Sequence, residues 1–131
     1  MKTSWAAAFL MVLTSTSPAG EVKILDVVVQ RNAENLYRFD VTLQHEDSGW
    51  EHYADAWEIL SPDGRVIKQR VLFHPHVEEQ PFTRSLDGVE LSDGWDHVLI
   101  RAHDKVHGYA AQTFRVNLVH PSNLGKGNQS D

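Results

Sequence analysis

Alternation of apolar and polar residues between Leu36 and His45 is the feature that most restricts what this chain can fold into. The apolar residues of this segment share one phase: Tyr37, Phe39, Val41 and Leu43. Because successive side chains of a strand point to opposite faces of a sheet, the pattern predicts a strand with one buried face. A surface helix would repeat its apolar residues with a period of about 3.6, and no stretch of the chain sustains that period.

Six further strands are predicted from shorter patterns of the same kind. They cover residues 21–30, 52–60, 65–73, 82–91 with a bend at 86–88, 96–103 and 111–118. In the first of them we expect Leu25, Val27 and Val29 to share the buried face. The polar residues 31–35 predict a turn. Residues 61–64 predict a second turn, because proline and glycine stand at the positions that a type I turn favours.

Seven short strands separated by turns predict an all-β fold, an antiparallel β-sandwich of the immunoglobulin or fibronectin III type. Trp57, near the middle of the third strand, is typical of immunoglobulin-like sandwiches. We place the sandwich domain at residues 20–120. Residues 121–131 are rich in serine, asparagine and glycine and are predicted to form a disordered tail.

Residues 1–19 have the pattern of a secretory signal peptide. Lys2 supplies the basic start, an apolar run follows from Trp5, and small residues precede a cleavage site after Ala19. The apolar run is too short to cross a bilayer core of about 30 Å as a helix. We therefore expect a periplasmic or secreted protein whose mature chain carries no transmembrane anchor.

The amino-acid composition restricts which partners the protein can bind and which residues can form a metal site. With 12 basic and 18 acidic residues the net charge is −6, whereas nucleic-acid binding needs a basic face, so no nucleic-acid partner is expected. The chain has no cysteine, which excludes a disulfide framework and thiolate metal sites. It has eight histidines. Any metal would be held by imidazole and carboxylate groups, a donor set that suits copper, zinc or nickel.

The predicted strand order brings most of these histidines to one end of the sandwich. Because antiparallel neighbours reverse direction, the loops after the second, fourth and sixth strands all lie at the same end. Those loops and the strand ends beside them contain six histidines: His45, His52, His74, His76, His103 and His107. His74 and His76 are separated by one residue in an extended, proline-bounded segment, so their rings are expected to point the same way.

These six histidines are the predicted metal ligands, and we expect His52, His74, His76 and His103 to share one ion or one compact hydrogen-bonded cluster. Three acids at the same end are predicted to orient the imidazole rings: Asp55, Glu79 and Asp104. The simplest function is then an exported carrier or buffer for copper or zinc. In the competing structural interpretation, the histidines hydrogen-bond backbone carbonyls and bind no metal.

Two other functions use the same end of the molecule. A non-catalytic interaction module would present aromatic residues of the loops to a peptide, an envelope protein or a glycan: Trp50, Tyr53, Phe73 and Tyr109. A metal-dependent enzyme has the least support. The chain contains no H-E-x-x-H motif, P-loop or nucleophile elbow, so we expect a binding protein.

Three segments carry a resemblance to a known group of proteins. They are Gly49–Asp55 (GWEHYAD), His74–Leu86 (HPHVEEQPFTRSL) and Ala102–Gly108 (AHDKVHG). In these segments the chain resembles a group of small exported bacterial proteins, and the resemblance covers most of the predicted mature chain. It implies a location in the bacterial envelope and implies no particular activity.

Overall fold

The computed structural model describes residues 20–118, which fold into eight strands and no helix. The strands are β1 (Lys23–Ala33), β2 (Leu36–Gln44), β3 (Ala54–Leu60), β4 (Val66–Val71), β5 (Phe82–Glu90), β6 (His97–Asp104), β7 (Gly108–Tyr109) and β8 (Phe114–Asn117). They form two antiparallel sheets and confirm the predicted β-sandwich. The predicted signal peptide and disordered tail lie outside the described residues.

One sheet has the strand order β1-β2-β5. The other has the order β4-β3-β6, and both β7 and β8 pair with β6, at opposite ends of that strand. The last strand predicted from the sequence, residues 111–118, is therefore shorter than expected. A two-residue strand precedes it and pairs with the end of β6 that carries the predicted site.

The core lies between the sheets and consists of the residues that the alternation places inward. Phe39 and Val41 of β2, Trp57 of β3 and Ile100 of β6 are completely buried. Burying one large apolar side chain of this kind contributes about 1.5–3 kcal/mol, so the central strands β2, β3 and β6 fix the register of the fold.

The prediction for Leu25 is wrong. This side chain is 46% exposed, whereas Ile24, Val27 and Val29 pack against the core. The pairing of β1 with β2 shifts between Ile24 and Asp26, so one extra residue interrupts the alternation there. A β-bulge of this kind reverses the face on which the following side chains lie, which the expected unbroken alternation did not allow.

Two predicted bends also differ from the structure. Strand β1 continues to Ala33, so the turn before β2 is tighter than predicted. Strand β5 runs through the bend expected at residues 86–88. Its pairing with β2 jumps from Leu86, opposite Phe39, to Val89, opposite Tyr37, so the bend is a bulge within a continuous strand.

The turn between β3 and β4 returns the chain to the end where the histidines gather. The N–H of Gly64 donates to the carbonyl of Ser61 at 2.9 Å, as expected for the predicted four-residue turn. Gly64 has a φ of 90°, a conformation that glycine adopts without a Cβ clash. The exit of β4 therefore lies beside the loop that joins β2 to β3.

Candidate metal centre

Asp47 joins two of the loops at this end through hydrogen bonds. Its fully buried carboxylate accepts from the ring Nδ1 of His45 at 2.5 Å and from the backbone N–H of Ala54 at 3.1 Å. The other carboxylate oxygen accepts from the backbone N–H of His76 at 2.7 Å. Hydrogen bonds to an ionised acceptor are worth about 1.5–3 kcal/mol each. Asp47 thus fixes the β2–β3 loop, the β4–β5 loop and the ring of His45 together.

Asp104, at the end of β6, is the second buried carboxylate beside the histidines. Its Oδ1 accepts from the backbone N–H groups of Val106 and His107 at 2.9 and 2.7 Å, and from the His107 ring Nδ1 at 3.1 Å. Burial alone would raise the pKa of Asp104. These donors outweigh it and hold the pKa below the usual value, so the group stays ionised. A buried, charged carboxylate is a good ligand for a cation.

His45, His52 and Asp104 form a group that could hold a metal ion. Each offers one ligand atom, and these atoms lie within 4.8 Å of one another. The Nε2 of His52 lies 3.2 Å from Asp104 Oδ1, and the Nε2 of His45 lies 3.9 Å from Asp104 Oδ2. Ligands of a tetrahedral zinc ion are about 3.4 Å apart, so small side-chain movements would complete such a site.

Two atoms of this group are buried without a hydrogen-bond partner among residues 20–118, namely His52 Nε2 and Asp104 Oδ2. Buried polar atoms are normally satisfied, and each exception calls for an explanation such as an ion. Both atoms offer a lone pair when His52 is neutral with its hydrogen on Nδ1, and both belong to the same cluster. The donor chemistry therefore fits a bound cation.

His45 is held from both sides of its ring. Nδ1 bonds to Asp47, and Nε2 lies 2.9 Å from the carbonyl oxygen of Gly20. Because a carbonyl oxygen can only accept, Nε2 carries a hydrogen in this arrangement, and a metal bound at Nε2 would replace that hydrogen. The Asp47 contact is the orientation that metal-binding histidines usually receive from a carboxylate.

His74 and His76 lie beside this group but differ from each other in environment. The ring of His76 is buried, stacks on Phe82 at a centroid distance of 4.0 Å and accepts a hydrogen bond at Nε2 from Arg84 at 2.8 Å. Burial, followed by the charge of Arg84, lowers the pKa of His76. His74 is exposed, and its ring lies 4.6 Å from that of His76.

His103 lies apart from the metal group. Its Nδ1 is 2.5 Å from Asp55 Oδ1, and its ring packs edge-on against Tyr109 at 4.7 Å. Its neighbour Asp104 faces the interior, so alternation along β6 directs His103 to the outer face of the sheet. Asp55 contacts the ring of His103, which is not one of the three grouped residues.

The structure thus divides the predicted site residues into three sets. His45, His52, His107 and Asp104 come together, and Asp47 links them to His76, with His74 beside it. His103 and Asp55 form a separate pair, and Glu79 lies at the surface, 3.5 Å from Arg84. The four histidines expected to share one ion, His52, His74, His76 and His103, do not form one group.

Two residues of this cluster were not predicted as site residues. The sequence contains a signal for Asp47, which stands two residues after His45 and so continues the inward phase of β2. Gly20 carries no side chain and gave no signal of its own. Its role depends on a contact across 25 residues of chain that only the folded structure reveals.

Comparison with known proteins gives one informative match. Over 104 residues the chain is 36% identical to a protein of Halomicrobium mukohataei that bears the name "Putative lipoprotein". The match covers 79% of this chain and 51% of the relative, so the chain spans about half of the relative's length. No protein-family model matches the chain, and no solved structure matches it at a significant level.

Proposed function

We propose that this is an exported envelope protein that binds a transition metal, copper or zinc, through His45, His52 and Asp104 and acts as a carrier or buffer. The observation that carries the proposal is the pair of buried atoms that have no hydrogen-bond partner within residues 20–118, His52 Nε2 and Asp104 Oδ2, beside the imidazole of His45. Leaving a buried polar atom unpaired costs about 1–3 kcal/mol, and a cation between these atoms would remove that cost for both.

The neighbours of the three ligands support this assignment. Asp47 fixes the ring of His45 and the backbone N–H groups after Asp104 fix that carboxylate, so two ligands need little reorganisation to bind. His107 lies close enough to supply a further imidazole, its ring centre being 5.0 Å from that of His52. Two or three imidazoles with one carboxylate suit zinc and copper and exclude the purely oxygen-liganded chemistry of calcium.

The envelope location rests on the predicted signal peptide and on the relative, whose name describes a lipoprotein. We assign the chain to the periplasm or the exterior on that basis. No helix long and apolar enough to cross a membrane occurs within residues 20–118. Carrying or buffering a metal requires only a site that binds and releases an ion, which a small sandwich with its ligands near the loops provides.

A titration with Zn(II) and Cu(II) tests the proposal. We expect about one ion per chain, a rise in melting temperature on binding, and a loss of at least about tenfold in affinity for His52→Ala, because a ligand is removed. His97→Ala at the opposite end of β6 is the matched control and should bind normally. A purified protein whose melting temperature ignores both ions would refute the metal function.

A second candidate function has its own supporting observation. Trp50 and Phe73 are 64% and 72% exposed, and Val77 and Val106 are also exposed on the loops around the metal group. An apolar rim of this kind is a surface on which a peptide or an envelope protein could dock. Capture of a partner that persists in chelator and disappears with Trp50→Ala would favour an interaction module over a metal carrier.

A further inference from the structure

The backbone of Gly20 contacts the histidines of the candidate metal centre. Its carbonyl oxygen lies 2.9 Å from His45 Nε2, and its φ is +94°. A Cβ added at this position would lie 2.7 Å from Cε1 of His107, closer than real Cβ contacts approach. Two histidines of the cluster therefore surround residue 20, and only glycine fits between them without a shift.

His45 Nε2 and the carbonyl oxygen of Gly20 form a hydrogen bond whose length is slightly below the separation of two atoms bound to one ion. Ligand atoms with metal bonds of about 2.1 Å lie roughly 3.0–3.4 Å apart, depending on the bond angle. His45 Nε2 and Gly20 O are now separated by 2.9 Å with a hydrogen between them. Replacing that hydrogen with an ion would leave both atoms as ligands after a movement of a few tenths of an ångström.

The same residue follows the predicted cleavage site. Signal-peptide hydrolysis would add water across the Ala19–Gly20 amide, leaving a carboxylate on Ala19 and a free amino group on Gly20. An amide nitrogen donates its electron pair into the adjacent carbonyl, so it is a poor ligand in the precursor. A neutral amino group has a free lone pair and, with its own carbonyl oxygen, closes a five-membered chelate ring around a metal.

We propose that cleavage after Ala19 completes the metal site, because the new amino group and the carbonyl oxygen of Gly20 chelate the ion held by His45, His52 and Asp104. This inference rests on the proposed metal function. The fold already holds Gly20 against His45 and His107 without any ion, so metal binding requires little further loss of conformational entropy at this residue. The precursor would then bind metal weakly, and full affinity would arise only after export.

Three forms of the chain test the idea: the uncleaved 131-residue protein, a chain that starts at Gly20, and one that starts at Ala19. The last keeps a free amino group but displaces it by about 3.8 Å along the chain. Each is titrated with Cu(II) and Zn(II) against a coloured chelator. We expect the chain that starts at Gly20 to bind at least about tenfold more tightly than the other two, because the chelate is tethered in place.

The affinities of the three forms separate the role of processing from the metal function itself. Equal affinities in the three forms would overturn the role of processing and leave the His45, His52 and Asp104 site in place. An exported protein whose first residue is not Gly20 would overturn it as well. Absence of binding in all three forms would instead refute the proposed metal function. Equal melting temperatures in chelator establish that the three forms share one fold.

A substitution at Gly20 tests whether the position of residue 20, and not its amino group alone, determines the affinity for metal. Gly20→Ala in the chain that starts at residue 20 keeps the amino group but drives a methyl group into His107, so the affinity should fall at least about tenfold. Gly94→Ala is the control, since a Cβ there meets nothing within 4 Å. An unchanged affinity in Gly20→Ala would show that the close contact between residue 20 and His107 does not position the amino group and carbonyl oxygen that bind the ion.

Discussion

At the scale of single residues, His76 shows how the site end responds to protons. Its ring stacks on Phe82, its Nδ1 lies 4.0 Å from a carboxylate oxygen of Asp47, and its Nε2 accepts a hydrogen bond from Arg84. Burial comes first and the Arg84 charge second in lowering its pKa from the ordinary value of 6.5. The folded protein therefore favours the neutral ring, while the unfolded chain protonates it near pH 6.5.

This difference predicts a pH-dependent contribution to stability. A lowered pKa in the folded state means that the contribution is complete above about pH 6.5 and is lost as the pH falls below it, through the folded-state pKa. His76→Gln should remove this component, so its free energy of unfolding should fall less steeply between pH 7.5 and 5 than that of the natural protein. Denaturant titrations across this range provide the measurement. Parallel pH curves for the two proteins would contradict the assignment.

The sequence predicts at which end of the molecule the site residues lie, but it does not predict which residues they contact. Strand direction alone places His45, His52 and His107 at one end, because antiparallel strands reverse. The sequence also contains the signal that separates His103 from Asp104, since Asp104 continues the apolar phase of Val98, Ile100 and Ala102. The partners of His45 depend on torsion angles in irregular loops, which residue periodicity does not determine.

At the scale of elements, alternation predicted the strands because burial of one face dominates their energetics. The predicted β2 and β6 agree with the structure to within one residue at each end, and their inward side chains are all buried. Two of the errors fall at bulges, after Ile24 in β1 and near Gly88 in β5. A bulge inserts one residue without changing the apolar composition, so it leaves little trace in the pattern.

The β3–β4 turn gives a prediction at this scale. Gly64 has a φ of 90°, and a Cβ added there would meet nothing within 4 Å. Gly64→Ala should therefore lower the free energy of unfolding by about 1–2 kcal/mol through the cost of the left-handed backbone alone. Gly94→Ala, an exposed glycine without a positive φ, should change it far less. Chemical denaturation of both variants measures the difference, and equal losses would show that the turn conformation is not responsible.

At the scale of the whole molecule, metal binding and folding should be coupled through protons. Ligand histidines must lose a proton to bind an ion, so protons compete with the metal. An ion that binds only the folded state raises its stability. The increase in melting temperature caused by Zn(II) or Cu(II) should thus be present above about pH 6.5 and disappear as the pH falls toward 5. Melting curves with and without metal measure it, and a constant increment across this range would exclude histidine ligands.

The hydrogen bonds that Asp47 accepts from two loops determine the redox conditions in which this end of the protein can fold. Extracellular domains often cross-link their loops with disulfides, which form only where an oxidant is present. Here one buried aspartate joins the β2–β3 loop to the β4–β5 loop through hydrogen bonds, and the chain contains no cysteine at all. The loop end should therefore assemble equally well in thiol-reducing and oxidising surroundings, independent of any disulfide-forming machinery.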